Sequence, residues 1–158
     1  MKKSYCIIPC RSGSKRIPHK NKKLFFGKRF FEKAVETAQQ ASIFKEIIIS
    51  TNDKEIYKIA NQNKIKAHFR SEANSNDLST TISAIKETIN WLIEKKYIGV
   101  KQIGDTIICC LYPCTPFMKP NFLKESLKVL EKNKNNFVYP VSSYSHPIER
   151  RMKMDNNN

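Results

Sequence analysis

The sequence predicts a three-layer α/β domain, with a mainly parallel sheet and helices on both of its faces. Short apolar runs alternate with amphipathic stretches along the chain, the pattern of repeated strand-helix units. The runs at 46–51 (EIIIST) and 105–111 (DTIICCL) are continuously apolar, as strands covered on both faces are. Right-handed crossovers through the intervening helices join such strands in parallel.

The elements follow in order. Residues 5–9 form a buried strand that runs into a polar loop containing Gly13. From Phe30, the spacing of Phe30, Ala34 and Ala38, widened by Phe31 and Val35, predicts a helix ending near Ser42. Residues 46–51 are the second strand. Residues 53–63 carry Ile56, Ile59 and Ala60 at helical spacing, and 65–69 add a short strand. Ser79 or Thr80 suits the N-cap of a longer helix whose apolar face is Ile82, Ile85, Ile89 and Leu92, widened by Trp91 and Ile93. Residues 105–111 read as a central parallel strand, stopped by the two prolines of YPCTPF. Pro120 opens a helix with Leu123, Leu127 and Leu130 inward, and 137–141 read as a further strand. In such a sheet ligands bind beyond the C-terminal strand ends, here the loops after Pro9, after Thr51, around Arg70 and after Leu111.

At 158 residues the chain suits one domain. Its formal charge of +15 is concentrated: no acidic residue precedes Glu32, whereas Arg11, Lys15, Arg16, Lys20, Lys22, Lys23, Lys28 and Arg29 crowd one segment. A positive segment of this kind attracts anionic partners. A nucleic-acid-binding basic domain is the competing class. It is disfavoured because the cations follow a strand and interleave with small residues, with no pattern of stacking aromatics. No segment has the length of a membrane span and no signal-peptide core follows Met1, so no membrane partner is expected and the location expected is the cytoplasm. The five cysteines, Cys6, Cys10, Cys109, Cys110 and Cys114, lie mainly in apolar runs and are expected as reduced, packed thiols. No metal-ligating set is assigned among them.

The stretch 9–21, PCRSGSKRIPHKN, sits where the first strand ends. Small residues let backbone N–H groups approach phosphate oxygens, and fixed cations offset the charge. Ser12, Gly13 and Ser14 meet the first need; Arg11, Lys15 and Lys20 meet the second. The order is not that of a Walker loop.

This motif resembles the P-A-R-x-G-S-K-R-[IL]-P-x-K-N signature of the acylneuraminate cytidylyltransferases. The likeness continues through FKEIIISTNDKEIYKIA, FRSEANSNDLSTTISAIKETINWL, CCLYPCTPF and VYPVSSYSHPIERRMKM, so that nearly the whole chain is covered. CCLY before the P-x-x-P-F loop and the S-Y-x-x-P-I-x-R ending look most like the pseudaminic acid branch. Cys10 and Cys114 stand where the family commonly has Ala or Thr, and His19 occupies a variable position.

The resemblance implies a Rossmann-like nucleotide-diphospho-sugar transferase fold, with residues 1–153 as the N-terminal part of the nucleotidyltransferase domain and 154–158 as a disordered tail. It implies transfer of CMP from CTP to a nonulosonic acid, pseudaminic acid favoured, with release of pyrophosphate, for surface glycan biosynthesis. Arg11 and Lys20 are expected as the catalytic cations. Ser12, Gly13, Lys15, Asn21, Arg70 and Thr81 are expected around the nucleotide, Arg70 at the cytosine edge, and Tyr112 near the incoming sugar acid. No residue is assigned as general base. Mg2+ is implied as cofactor and a homodimer as the complete enzyme. In the family, a dimer-forming segment and a late acidic motif that holds the metal follow the region matched here. Asp53, Asp77 and Asp105 do not match that motif, so weak CTP binding without turnover is expected of these residues, and an inactive remnant is a further reading.

Overall fold

Residues 3–10 alternate between two covered faces. In the computed structural model, which describes residues 3–76, 79–132, 137–141 and 143, strand β1 (Lys3–Cys10) is buried nearly throughout. It pairs in parallel with β4 (Glu46–Thr51) on one side and with β6 (Thr106–Cys110) on the other. Strand β5 (Lys66–Phe69) joins the far side of β4, also in parallel, giving the order β5-β4-β1-β6. The predicted α/β class with a mainly parallel sheet is the observed one.

Successive residues of β1 point to opposite faces. Cys6, Ile8 and Cys10, with Ile49 of β4, face helix α1 (Phe30–Ala41) and helix α2 (Lys54–Gln62). Tyr5, with Ile48, packs with Leu92 of helix α3 (Thr81–Glu94) and with Ile98 beyond that helix. Helices therefore cover both sheet faces. Helix α1 buries Phe31, Ala34, Val35, Ala38 and Ala41, a stripe at helical spacing. Helix α2 starts on Asp53, whose carboxylate accepts the N–H groups of Glu55 and Ile56, and α3 starts on Thr80, whose hydroxyl accepts from Ser83. A short hairpin, β2 (Leu24–Phe25) with β3 (Lys28–Arg29), turns through Phe26 and Gly27, both at positive φ. Helix α4 (Pro120–Lys132) buries Leu123.

Three expectations are corrected. Strand β6 is an edge strand among the described residues, with β1 and β4 central. An apolar run reports cover on the two faces and says nothing about how many neighbours the backbone bonds sideways. Helix α3 does not bury the isoleucine face: Ile82 is 79% exposed, and the inward residues are Ala84, Thr88 and Leu92. Small Ala84 and Thr88 allow close approach to the sheet, and the Thr88 hydroxyl is satisfied there. It donates to Ser50 Oγ at 2.8 Å and faces His68 Nδ1 at 3.1 Å. Residues 137–141 form no strand; their backbone is irregular and Phe137, Tyr139 and Val141 are exposed. A strand-like pattern becomes a strand only where a neighbouring backbone takes up its N–H and C=O groups.

The chain divides into two units, 1–124 and 125–158. The first holds the sheet, both core clusters and the loops beyond the strand ends. In the second, the Phe137 and Tyr139 rings stack at 6.0 Å. The expected tail at 154–158 lies outside the described residues, as do Asp77 and the S-Y-x-x-P-I-x-R ending beyond Ser143. No helix among the described residues is long and apolar enough to cross a membrane.

Helix α3 supplies a direct test. Leu92→Ala should cost about 2–5 kcal/mol in denaturant unfolding, while Ile82→Ala should stay within about 0.5 kcal/mol. Leu92 belongs to both faces, so a loss of about 2–5 kcal/mol at Ile82 would restore the face expected from hydrophobicity alone.

Candidate active site

Parallel pairing brings the C-terminal ends of the four long strands to one edge of the sheet, and the following loops meet there. They enclose a cleft of about 560 Å³, lined among others by Arg11, Lys20, Asn21, Arg70, Thr81 and Tyr112. A bowl of about 430 Å³ is lined by Ser12, Gly13, Ser14, Lys15 and His19, among others, and Ser14 borders both. Every predicted site residue thus lies in one of two concavities. Their described linings contain no Asp or Glu, which leaves the field to the cations.

The basic loop is held by neighbours from other strands. The Thr51 hydroxyl donates to the Cys10 carbonyl at 2.7 Å and accepts the Asp53 N–H at 3.0 Å, tying together the ends of β1 and β4. Ser12 N–H donates to Asn52 Oδ1 at 2.9 Å, so this donor is already engaged. Gly13 has open space where a Cβ would stand. Asn21 is buried; its Nδ2 donates to the Arg11 carbonyl at 2.9 Å and its Oδ1 faces Cys114 Sγ at 3.5 Å. Both ends of its amide are used in joining the basic loop to the loop after β6. The guanidinium of Arg11 donates to the carbonyls of Asn76 at 2.6 Å and Gly13 at 3.3 Å. Just before Lys20, His19 takes the left-handed conformation, φ 53°. Thr81 Oγ1 and the Tyr112 hydroxyl lie 2.9 Å apart on the cleft wall.

Nearby charges are paired outside the cleft. Lys22 Nζ lies 3.1 Å from Asp53 and 2.7 Å from Glu55. Burial pushes the Asp53 carboxyl up, but the Lys22 ammonium and the N–H groups of Ile56 and Glu55 outweigh this and hold it below its ordinary 3.8.

Arg70 is the exception to this pattern of pairing. It is buried, and its Nη1 donates to the Asn74 carbonyl at a long 3.4 Å. Nε and Nη2 are buried with no partner among the described residues. Burial pulls its pKa down from the ordinary value, yet a guanidinium stays charged in a protein. Cys10 offers no counter-charge, because burial drives its thiol far above the ordinary range. Orphaned charged donors in a cleft wall are costly unless a ligand brings acceptors.

The thiols of Cys6 and Cys109 face each other across paired strands, and all five cysteines are free. Among the described residues, no group of three or more His, Cys, Asp or Glu is arranged to hold a metal. The residues that sequence reasoning missed are Thr51, Asn52, Asn74 and Asn76, which shape the loops through backbone-directed bonds. Their only signal is the turn preference of asparagine.

A family model described as cytidylyltransferase matches residues 5–157. The chain belongs to the cytidylyltransferase family. It is 35% identical over 157 residues to a pseudaminic acid cytidylyltransferase of Campylobacter jejuni, covering 99% of this chain and 65% of that protein. It is 32% identical over 123 residues to a CMP-N,N'-diacetyllegionaminic acid synthase of Legionella pneumophila, covering 78% and 51%. The chain therefore spans 65% of the length of the first of these curated relatives. A solved structure of CMP:2-keto-3-deoxy-manno-octonic acid synthetase complexed with CTP superposes with a TM-score of 0.66 at 21% identity, over 84% of this chain and 48% of that one. This likeness shows a shared fold, the α/β fold of nucleotide-transferring enzymes. Cytidylyltransferases generally use a divalent metal ion.

The Asp53 contact gives a pH signature. Because its folded pKa lies below the ordinary value, its stabilisation is whole above about pH 4 and is lost as pH falls through the folded value. Asp53→Asn should lower stability by about 0.5–1 kcal/mol at pH 7. The deficit should close on acidification in urea titrations; a deficit independent of pH would remove the ion pair from the account.

Proposed function

We propose that this chain carries the CTP-binding part of an enzyme that transfers CMP from CTP to a nonulosonic acid, pseudaminic acid favoured, and releases pyrophosphate. The single observation that carries the reading is Arg70, whose buried Nε and Nη2 lack protein acceptors at the end of β5. The cytosine edge, with its carbonyl and ring nitrogen, offers acceptors for such a fork. The basic loop beside it suits the triphosphate: Lys15 and Lys20 supply charge, and Gly13 permits backbone approach. The identities to pseudaminic and legionaminic acid enzymes support the acceptor class.

In this reading the anomeric hydroxyl of the sugar acid attacks the α-phosphorus in line. Its oxygen forms the new P–O bond, and the bond to the pyrophosphate oxygen breaks. Catalysis is positioning and charge neutralisation. Arg11, oriented by the carbonyls of Asn76 and Gly13, and Lys20 face the charge that develops on the departing pyrophosphate. Asn21 and Ser12 act by holding the loop, since their polar groups are engaged with protein. The Thr81 hydroxyl stands beside the nucleotide, 2.9 Å from the Tyr112 hydroxyl, which meets the sugar acid. The described lining of the Arg70 cleft has no histidine or carboxylate, so no general base is assigned. For the same reason the described residues do not fit Mg2+, which wants hard oxygen ligands, and no step is routed through it. A homodimer and a cytoplasmic location accompany the proposal by family resemblance.

Titration calorimetry tests the reading. The chain should bind CTP more tightly than ATP, and Arg70→Ala should weaken CTP by about tenfold or more, the scale of a charge-assisted bond. Equal affinity for the two nucleotides would overturn it. Separately, Lys15→Glu should weaken CTP far more than Lys95→Glu at the exposed end of α3; equal losses would move the phosphates away from the basic loop.

A further inference from the structure

Glu87 lies outside both concavities, on α3, yet it grips the turn that follows Arg70. Its Oε1 accepts the Ser71 N–H at 2.8 Å and its Oε2 accepts the Ser71 hydroxyl at 3.2 Å. The Asn74 amide favours the charged form of the same carboxylate. The turn closes on itself through the Ser75 hydroxyl, which donates to the Ser71 carbonyl at 2.6 Å. One carboxylate therefore holds the start of the turn whose Asn74 carbonyl accepts from Arg70 Nη1.

The helix that carries Glu87 is itself locked in register. Thr88, the next residue, is buried and bonded to Ser50 of β4, and it faces His68 of β5 at 3.1 Å. His68 packs against Trp91 with tilted rings, their centroids 5.3 Å apart, and its Nε2 stands 3.7 Å from Glu87 Oε1. The backbone of Arg70 is fixed separately, its N–H donating to the Thr51 carbonyl at 2.8 Å. What remains to be set is the direction of the guanidinium; its one described hydrogen bond is to the Asn74 carbonyl, and the Glu87 charge also favours its charged form. Two carboxylate oxygens take the Ser71 N–H and the Ser71 hydroxyl one each; an amide offers one oxygen, and alanine offers none.

We propose that Glu87 is a positioning residue for nucleobase recognition: by clamping the turn at Ser71, it holds the Arg70 guanidinium in the direction that lets its free donors meet the base. This rests on the reading of Arg70 as the base-binding group. It also follows that Glu87 acts on the base and leaves the phosphates alone, because none of its described contacts reaches the basic loop. Consistent with this, burial pushes its carboxyl up while Ser71, Asn74 and His68 outweigh it and keep the group ionised.

The test compares CTP, ATP and inorganic tripolyphosphate as ligands of the full chain by calorimetry. Glu87→Ala should weaken CTP about tenfold and leave tripolyphosphate unchanged, and Glu87→Gln, which retains one acceptor oxygen, should recover most of the loss. The double variant Glu87→Ala with Arg70→Ala should lose no more CTP affinity than Arg70→Ala alone, since both remove one effect. Equal weakening of CTP and tripolyphosphate, or additive losses in the double variant, would overturn the proposal. If Glu87→Ala does not fold by circular dichroism, Glu87→Gln and Ser71→Ala, which removes only the hydroxyl bond, are read by the same CTP-to-tripolyphosphate ratio. A parent chain that binds CTP and ATP alike sinks the base-recognition reading and this inference with it. A parent that prefers CTP, beside a Glu87→Ala that keeps that preference, sinks the inference alone.

Discussion

Parallel pairing of β1 with β4 on one side and β6 on the other is the constraint on which the rest of the structure depends. It puts Cys10, Thr51, Phe69 and Cys110 at one edge of the sheet, within reach of one another's loops. The single bond from the Thr51 hydroxyl to the Cys10 carbonyl then splices the first two of these ends. Ser12, Asn21 and Arg11 take their positions from that splice, through acceptors that lie far away in the sequence. A basic loop with one glycine would wander by itself; anchored in this way it becomes a shaped surface.

The cost of this arrangement sits at Arg70. A buried guanidinium with two orphaned nitrogens destabilises the free protein, because the water it has lost is not replaced by protein acceptors. Such a group is tolerated where ligand binding repays the penalty, and strain of this kind clusters at functional sites. Compensation in the free state is incomplete: Cys10 is a neutral thiol and no carboxylate lines the cleft among the described residues, while the charge of Glu87 favours the guanidinium without a hydrogen bond to it. Preorganisation and stability pull in opposite directions here.

The polar network beneath α3 serves the same end from the other side of the sheet. Ser50, His68 and Thr88 would be poor choices for a core judged by hydrophobicity, yet each has a partner. Satisfied buried networks fix register more sharply than apolar contacts, which tolerate sliding. By fixing α3 they also fix Thr81 and Glu87, one on the cleft wall and one behind it.

Much of this was legible in the sequence. The continuous apolar runs specify strands covered on both faces, so β1, β4 and β6 could be read within a residue or two; Asp53 and Thr80 mark their helix starts because an oxygen one residue ahead of a helix meets its open N–H groups. The order of small and basic residues in 9–21 likewise marked a candidate phosphate site, since chemistry of that kind is local. Other features were decided only in three dimensions. Hydrophobicity selected Ile82 for the core, but a sheet that accepts the Thr88 hydroxyl turned α3 to another face. An apolar run did not reveal that β6 has one described neighbour, nor did the pattern at 137–141 reveal the absence of a paired strand. The isolation of Arg70, and the grip of Glu87 on its turn, join residues whose partnership depends on helix rotation and strand order. Composition and periodicity act along the chain, whereas hydrogen-bond satisfaction and desolvation act across it, and only the folded arrangement says which groups are left without a partner.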